Sequence, residues 1–267
     1  MDEVDILVSS RDRHTELALL MQALRTQTYK QWNLFICDNA SGTPLLNAQF
    51  IQTFINRLRL EGHQINIFRN NIDFGICYVR NQLNKAQLED GTGKYSMRLD
   101  DDVLPEPDYI EKLLSVIDAG YDIASGVTPP AAFPMLKRDV SVLKGEINKV
   151  KIDAQGNIIE FGDDCGYGYM QNQILSAGHF RSCALYKSEI NKLKYPENLS
   201  KYGFREESIF SLKARKAGYK IGVHTGAIVW HLQTQSGGGR TAIGLDTIQN
   251  DDTIFRKWVQ KNYASVT

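Results

Sequence analysis

The sequence predicts an α/β fold, a mainly parallel sheet flanked by helices on both faces. Three observations predict it. Over the first half of the chain short apolar runs alternate with stretches of helical periodicity, the pattern of strand–helix repeats. Polar turns around Ser9, Asp38 and Asp100 each follow such an apolar run, so all three converge on the carboxyl edge of the sheet, where sheets of this kind bind ligands. At 267 residues and 42% hydrophobic, the chain can build one large α/β domain or two small ones, and no clean linker divides it.

Val4 to Val8 reads as a buried strand that ends in the polar turn Ser9-Ser10-Arg11-Asp12-Arg13. Leu17, Leu20, Met21 and Leu24 then recur at helical spacing. Trp32 to Cys37 is a second strand, closed by the turn residues Asp38-Asn39-Ala40-Ser41-Gly42. Pro44 suits the first turn of a helix whose apolar face is Phe50, Ile51, Phe54, Ile55 and Leu58. Gln64 to Phe68 is a third strand, and a helix from Ile76 to Leu88 follows Gly75. A helix over Asp108–Ala119 and a strand over Tyr121–Ser125 complete the regular half.

Beyond Gly126 the pattern breaks. Thr128 to Pro134 is irregular. Val150–Ile152 and Ile158–Phe161 flank Asp153-Ala154-Gln155-Gly156-Asn157 as a hairpin. Phe180–Tyr186 reads as a strand returning to the sheet, Glu206–Ala217 as a helix, and Tyr219–Val223 and Ala227–His231 as two short strands. An amphipathic helix from Asp246 to Tyr263 closes the chain.

The stretch from Tyr95 to Pro105 organises the rest. It starts as a strand and runs into Asp100-Asp101-Asp102, with Pro105 and Pro107 expected to stop it at the top of the sheet. Adjacent carboxylates repel one another, so the cluster is either an acidic surface turn or a site for a hard divalent cation, Mg²⁺ or Mn²⁺, that holds a diphosphate.

Composition narrows the function classes. Lys+Arg and Asp+Glu are equal at 31, which leaves no bulk positive charge to steer the chain onto nucleic acid. Cys37, Cys77, Cys165 and Cys183 are far apart and without CxxC spacing, against a zinc module or a disulfide framework. The acidic start lacks the basic residues of a secretory signal, and no stretch has the apolar length of a membrane span. The expectation is a cytoplasmic protein, with the inner membrane face as an alternative workplace.

Four pieces in order carry a family resemblance. Ser9 to Arg13 with Leu24-Arg25-Thr26-Gln27-Thr28-Tyr29, then Asp38-Asn39-Ala40-Ser41, then Asn71-Ile72-Asp73-Phe74-Gly75 with Arg80-Asn81, then Asp100-Asp101-Asp102 resemble the motifs of the family 2 glycosyltransferases, which have the GT-A (nucleotide-diphospho-sugar transferase) fold and invert the sugar they move. The resemblance implies one domain over residues 1–267, with a nucleotide-binding half over about 1–126, an acceptor-binding half over about 127–245 and a C-terminal helix over 246–267. It implies a nucleotide-sugar donor with a UDP, GDP or dTDP carrier, a glycan or lipid-linked saccharide acceptor, and Mn²⁺ or Mg²⁺ as cofactor. Peripheral membrane association fits a lipid-linked acceptor, nucleic acid has no part, and oligomeric state is open.

By the same resemblance Asp102 is a metal ligand, and His231, after the strand Ile228-Val229-Trp230, completes the site; a buried, hydrogen-bonded histidine is the other reading. Asp100 sits nearer the ribose and base, with Asp101 between it and Asp102. Asp38 matches a position that accepts from the base or its ribose, or else makes an Asx-turn. Arg80 matches a nucleotide contact, or else lies on a solvated helix face. Ser9 and Arg11 line the same edge, with helix capping as the alternative for Ser9 or Asp12. Aligning on Ala217-Gly218-Tyr219 puts Glu207 where the family has an aspartate base, with Glu206 as the fallback. The departure adds a methylene, so the carboxylate must sit further back or enter at another angle. His179 and His224 have weaker claims than His231, with His179 on the acceptor side. Gln233 to Gly244, with Ser236-Gly237-Gly238-Gly239-Arg240, reads as a lid over the donor or else as a disordered surface loop. The rival functions are a sugar nucleotidyltransferase, disfavoured by a first turn without glycine, and a non-catalytic sugar-binding or scaffold protein.

Overall fold

The structure is a computed structural model that describes residues 2–235, 237 and 244–264. Its first half alternates as the sequence predicts: β1 (Val4–Ser10), α1 (His14–Arg25), β2 (Trp32–Asn39), α2 (Gln49–Leu60), β3 (Ile65–Asn70), α3 (Ile76–Asp90), β4 (Tyr95–Asp100), β5 (Val103–Pro105), α4 (Tyr109–Asp118) and β6 (Ile123–Val127). Short strands follow: β7 (Lys137–Arg138), β8 (Glu146–Ile147), β9 (Val150–Ile152), β10 (Ile158–Phe161), β11 (Gly168–Tyr169), β12 (Ile174–Ala177) and β13 (Ala184–Lys187). The chain ends with α5 (Glu206–Lys216), β14 (Ile221–His231) and α6 (Leu245–Tyr263).

Among the described residues the main sheet runs β3-β2-β1-β4-β13-β6-β14-β12-β8, with β5 paired to β14. β1 lies parallel between β2 and β4, and β13 runs antiparallel between β4 and β6. A strand from the second half of the chain therefore sits inside the sheet of the first. Alternation along β1 explains the helix layers. Val4, Ile6 and Val8 pack with Leu17, Leu20, Met21 and Leu24 of α1 and Ile51, Ile55 and Leu58 of α2, while Leu7 packs with Val79 and Leu83 of α3 on the opposite face. Asp5 is buried between them, yet Asn33, Gln87 and the Gly93 N–H all donate to its carboxylate, so no polar atom of it is orphaned.

Three expectations need correction. Pro44 does not open α2, which starts at Gln49; it precedes a separate 3-10 turn over Leu45–Asn47. The prolines do not end the central stretch. After the turn at Asp101–Asp102 the chain forms β5, which pairs antiparallel with β14 as far as Pro105, at the strand's end where a missing donor is tolerated. The two strands expected over 219–231 are one, β14, whose register against β6 shifts between Val223 and Ile228. The shift frees the last residues of β14 to pair with β5, which sets His231 opposite Val103, next to the triple acid.

α6 closes over the loop that feeds α5. Asp251 is fully buried and accepts from the Ser200 N–H (2.8 Å), the Ser200 hydroxyl (2.6 Å) and the Phe204 N–H (2.9 Å). Asp251→Ala should leave these donors buried and unmet. The expected cost is about 3 kcal/mol, or roughly 6–12 °C in Tm, to be read from thermal melts.

Candidate active site

The carboxyl ends of β1, β2 and β4 lie at one level, because Ser9 pairs with both Cys37 and Asp100 and Ser10 pairs with Asp38. A cleft opens there. Ser9, Ser10, Arg11, Asn39 and Asp73, the three acids and His231, and Arg181, Lys201 and the first turn of α5 all line it.

The acids are held in different ways. Asp100 Oδ1 accepts from Arg80 at 2.8 Å. Burial alone would raise this carboxyl, but Arg80 and then Arg98 outweigh it and hold it at about 2. Asp101 accepts from Arg13 Nη1 at 2.9 Å, and the same nitrogen lies 3.2 Å from Asp102. Burial, with the neighbouring Asp102 charge adding to it, pushes Asp101 up to about 7 against the pull of Arg13. Asp102 lies 3.4 Å from His231 Nε2 and receives the Thr234 N–H at 3.3 Å. Asp100, Asp102 and His231 each offer a ligand atom within 4.8 Å of the others. Two carboxylates and an imidazole at that spacing fit a hard or borderline divalent cation. Asp100, expected on the nucleotide, thus joins Asp102 and His231 in the candidate metal centre.

In the same cleft wall, α5 begins at Glu206. Two tight approaches fix its entry. Gly75 (φ 83°) and Gly203 (φ 68°) both have left-handed backbone, and a Cβ would meet Lys201 Cα at 2.8 Å in the first case and the Ile76 side chain in the second. Glu207 is half-buried and faces the cleft, and among the described residues its carboxylate makes no hydrogen bond or ion pair. Glu206 is buried and tied to Arg80 and Arg98.

Ser9, Arg11, Arg80, Asp100, Asp101, Asp102, Glu207 and His231 line this one cleft, as does His179. Asp38 is placed apart from them. It is 2% exposed and is absent from the cleft wall. Its carboxylate accepts from the Ser41 and Leu45 N–H groups (2.9 and 3.0 Å) and pairs with Arg69 (2.6 Å), which is the turn-forming alternative, and Asn39 lines the cleft beside it. Arg80 is 5% exposed rather than solvated, and it pairs with Asp100 and Glu206. Arg11 is bound to Asp73 at 2.5 Å. His179 stacks on Phe161 at 4.4 Å, with its ring nitrogens against the Gly162 and Phe180 carbonyls. His224 lies away from the cleft, where its Nδ1 accepts the Gly226 N–H. Of the stretch expected as a lid, residues 236 and 238–243 lie outside the described residues.

The Asp38 geometry carries a pH prediction. Burial raises its carboxyl, but the two backbone donors and then the Ser41 and Arg69 side chains outweigh that and leave it below its ordinary value. A depressed folded-state pKa gives stability that is present above the unfolded value, about 3.9, and is lost as pH falls through the folded one. Asp38→Asn should melt lower than wild type at pH 7, and the gap should close below about pH 4. A gap independent of pH in paired melts would refute it.

Sequence reading placed Arg13, Asn39 and Asp73 inside its motif segments without giving them a task, and it did not single out Arg98. Arg98 left a signal: a cation inside the strand run Met97-Arg98-Leu99, two residues before Asp100 and so on the same face.

A family model, Glycosyl transferase family 2, matches residues 5–174. The chain belongs to that family. The match covers β1 through the start of β12 and includes the three acids but not Glu207 or His231. No curated protein matches the sequence. Among solved structures, the family 2 chain is similar to S. aureus TarS residues 1–349, with 13% identity and a TM-score of 0.57 over 86% of this chain and 60% of that one. The longer S. aureus TarS structure gives 13% identity and 0.59, over 87% of this chain and 37% of that one. TarS 1–349 in complex with UDP gives 12% identity and 0.57, over 85% and 60%. The family 2 chain therefore has the GT-A fold and spans about 60% of the shorter TarS chain.

Proposed function

We propose that this chain is a metal-dependent, inverting glycosyltransferase that moves a sugar from a nucleoside-diphosphate-sugar to an acceptor hydroxyl, in glycan or polysaccharide synthesis. The observation that carries this reading is that an unpaired carboxylate, Glu207, lines the same cleft as the Asp100–Asp102–His231 cluster.

Each residue then has a task. Ser9, Arg11, Asn39 and Asp73 line the side of the cleft proposed for the nucleoside. Asp100, Asp102 and His231 would hold Mn²⁺ or Mg²⁺, which when bound supplies a Lewis acid that neutralises charge on the departing diphosphate. Glu207 accepts the proton of the acceptor hydroxyl as that oxygen attacks the anomeric carbon from the face opposite the leaving group. Arg13 keeps Asp101 and Asp102 in place and also donates to the Thr234 carbonyl, which ties the segment after β14 to the acids. The acceptor enters along Arg181, Lys201, Tyr202 and Phe204. UDP is the first carrier to try, because a TarS structure of the same fold holds it.

The test is release of nucleoside diphosphate from UDP-, GDP- and dTDP-sugars, with Mn²⁺ and with a chelator. Release that favours one base and stops with the chelator supports the reading. No release, with no diphosphate bound in the presence of Mn²⁺, would refute it and leave the scaffold function. Among the described residues no helix is long and apolar enough to cross a membrane.

A further inference from the structure

The charges beneath the cleft are paired in a ring. Arg98 grips Glu206 with both ends of its guanidinium, Nη2 to Oε1 at 2.5 Å and Nη1 to Oε2 at 3.1 Å. Arg80 Nε lies 3.0 Å from the same Oε1, and Arg80 Nη2 is 2.8 Å from Asp100. Arg98 Nη2 closes the ring at 3.8 Å from Asp100. The side chains of both arginines and of Glu206 are 4–5% exposed. Tyr195 lies against both guanidiniums, with its ring centre 5.8 and 5.6 Å away, and Phe180 against Arg98 at 5.7 Å.

Such a ring is a poor device for stability, because apolar residues of equal volume often serve a buried site as well or better. A two-pronged guanidinium–carboxylate contact does fix orientation. Glu206 and Glu207 are consecutive on a helix and so project about 100° apart. Whatever sets the direction of Glu206 therefore sets the rotation of α5 about its axis, and with it the direction of Glu207. Arg98 stands on β4 two residues before Asp100, so the grip references the proton acceptor to the strand that carries the donor acids.

We propose that Glu206 is a positioning residue that, through Arg98 and Arg80, aims Glu207 at the cleft. The role rests on the transferase reading above. It departs from a base assignment for Glu206, whose oxygens are both committed to arginines.

Three variants test it: Glu206→Gln, Arg98→Lys, which keeps the charge and loses the fork, and the paired Arg98→Met/Glu206→Met, which removes opposite charges together and leaves Arg80 with Asp100. Two quantities are read, diphosphate affinity from the Mn²⁺-dependent shift in Tm and the rate of diphosphate release from the matching sugar nucleotide. All three should bind diphosphate within about threefold of wild type and turn over about ten- to a hundredfold more slowly, since a misplacement near 1 Å costs that much. The paired variant should recover Tm without recovering rate. Rates that return with Tm, or affinity that falls as far as rate, would overturn the positioning role. A wild type that neither binds diphosphate nor releases it would overturn the transferase reading, and the positioning role with it.

Discussion

Glu207→Gln should lower turnover by about a thousandfold, within the range for removal of a general base, and leave diphosphate affinity unchanged. Three features of the structure support so large and so selective an effect. The carboxylate faces the cleft and is free of partners among the described residues, so nothing competes for the incoming proton. Glutamine has the same shape, and a first-turn charge lost at a helix N-terminus costs only about 0.3–1 kcal/mol, so the fold survives. No contact ties Glu207 to Asp100, Asp102 or His231, so the donor acids stay in place. Glu207→Asp probes the other peculiarity of this chain, the extra methylene relative to the aspartate its family resemblance predicts. It keeps a proton acceptor but withdraws it by roughly one bond length, and a loss of about ten- to a hundredfold is expected. Single-turnover rates at fixed, saturating donor check both. If Glu207→Gln kept most of the wild-type rate while Glu206→Gln lost it, the base would be Glu206 and the positioning argument would fall too.

What the sequence disclosed, and what it hid, divides by the range of the interactions. The strand–helix alternation of residues 4–127 was legible because each element carries its own apolar period: Leu17, Leu20, Met21 and Leu24 name the buried face of α1 without reference to anything distant. The acids were legible because three carboxylates in a row at a strand end are locally costly and so call for a partner. His231 was placed by resemblance, but the reason it meets Asp102 is β5, a three-residue strand too short to show in any periodicity. Asp38 shows the limit of motif reading. The residue type suits a nucleotide contact and an Asx-turn alike; the turn donors Ser41 and Leu45 are local, while Arg69, which also closes over the carboxylate, is 31 positions on. Arg80 and Arg98 are the same case in reverse. Isolated arginines look like surface, and their burial becomes affordable only when Glu206, 108 positions beyond Arg98, arrives between them. Pairings of that separation are set by topology and leave little trace in a local window.

Asp102→Ala should abolish Mn²⁺-dependent binding of nucleoside diphosphate without unfolding the chain. Asp102 is one of three residues whose ligand atoms lie within 4.8 Å of one another, and the remaining pair, Asp100 and His231, is one carboxylate poorer. Asp100 cannot compensate by moving, because Arg80 holds it at 2.8 Å. Loss of a buried carboxylate usually strands its partner, but here Arg13 keeps Asp101 at 2.9 Å and the Thr234 carbonyl at 3.0 Å, so the cation stays paired. The Thr234 N–H gives up an acceptor 3.3 Å away, a small loss at a long bond. A ligand that binds only the native state raises stability by RT ln(1 + [L]/Kd), roughly 2.7 kcal/mol at a hundredfold excess over Kd. Wild type should show that shift with Mn²⁺ and the matching diphosphate together, and neither alone should give it. Asp102→Ala should show none at the same concentrations while melting within a few degrees of unliganded wild type. A shift that persists in Asp102→Ala would mean that the diphosphate is held without the cation, and the metal centre would have to be abandoned. A shift lost only because the variant melts far below wild type would instead place Asp102 among the residues that hold β4, β5 and β14 together.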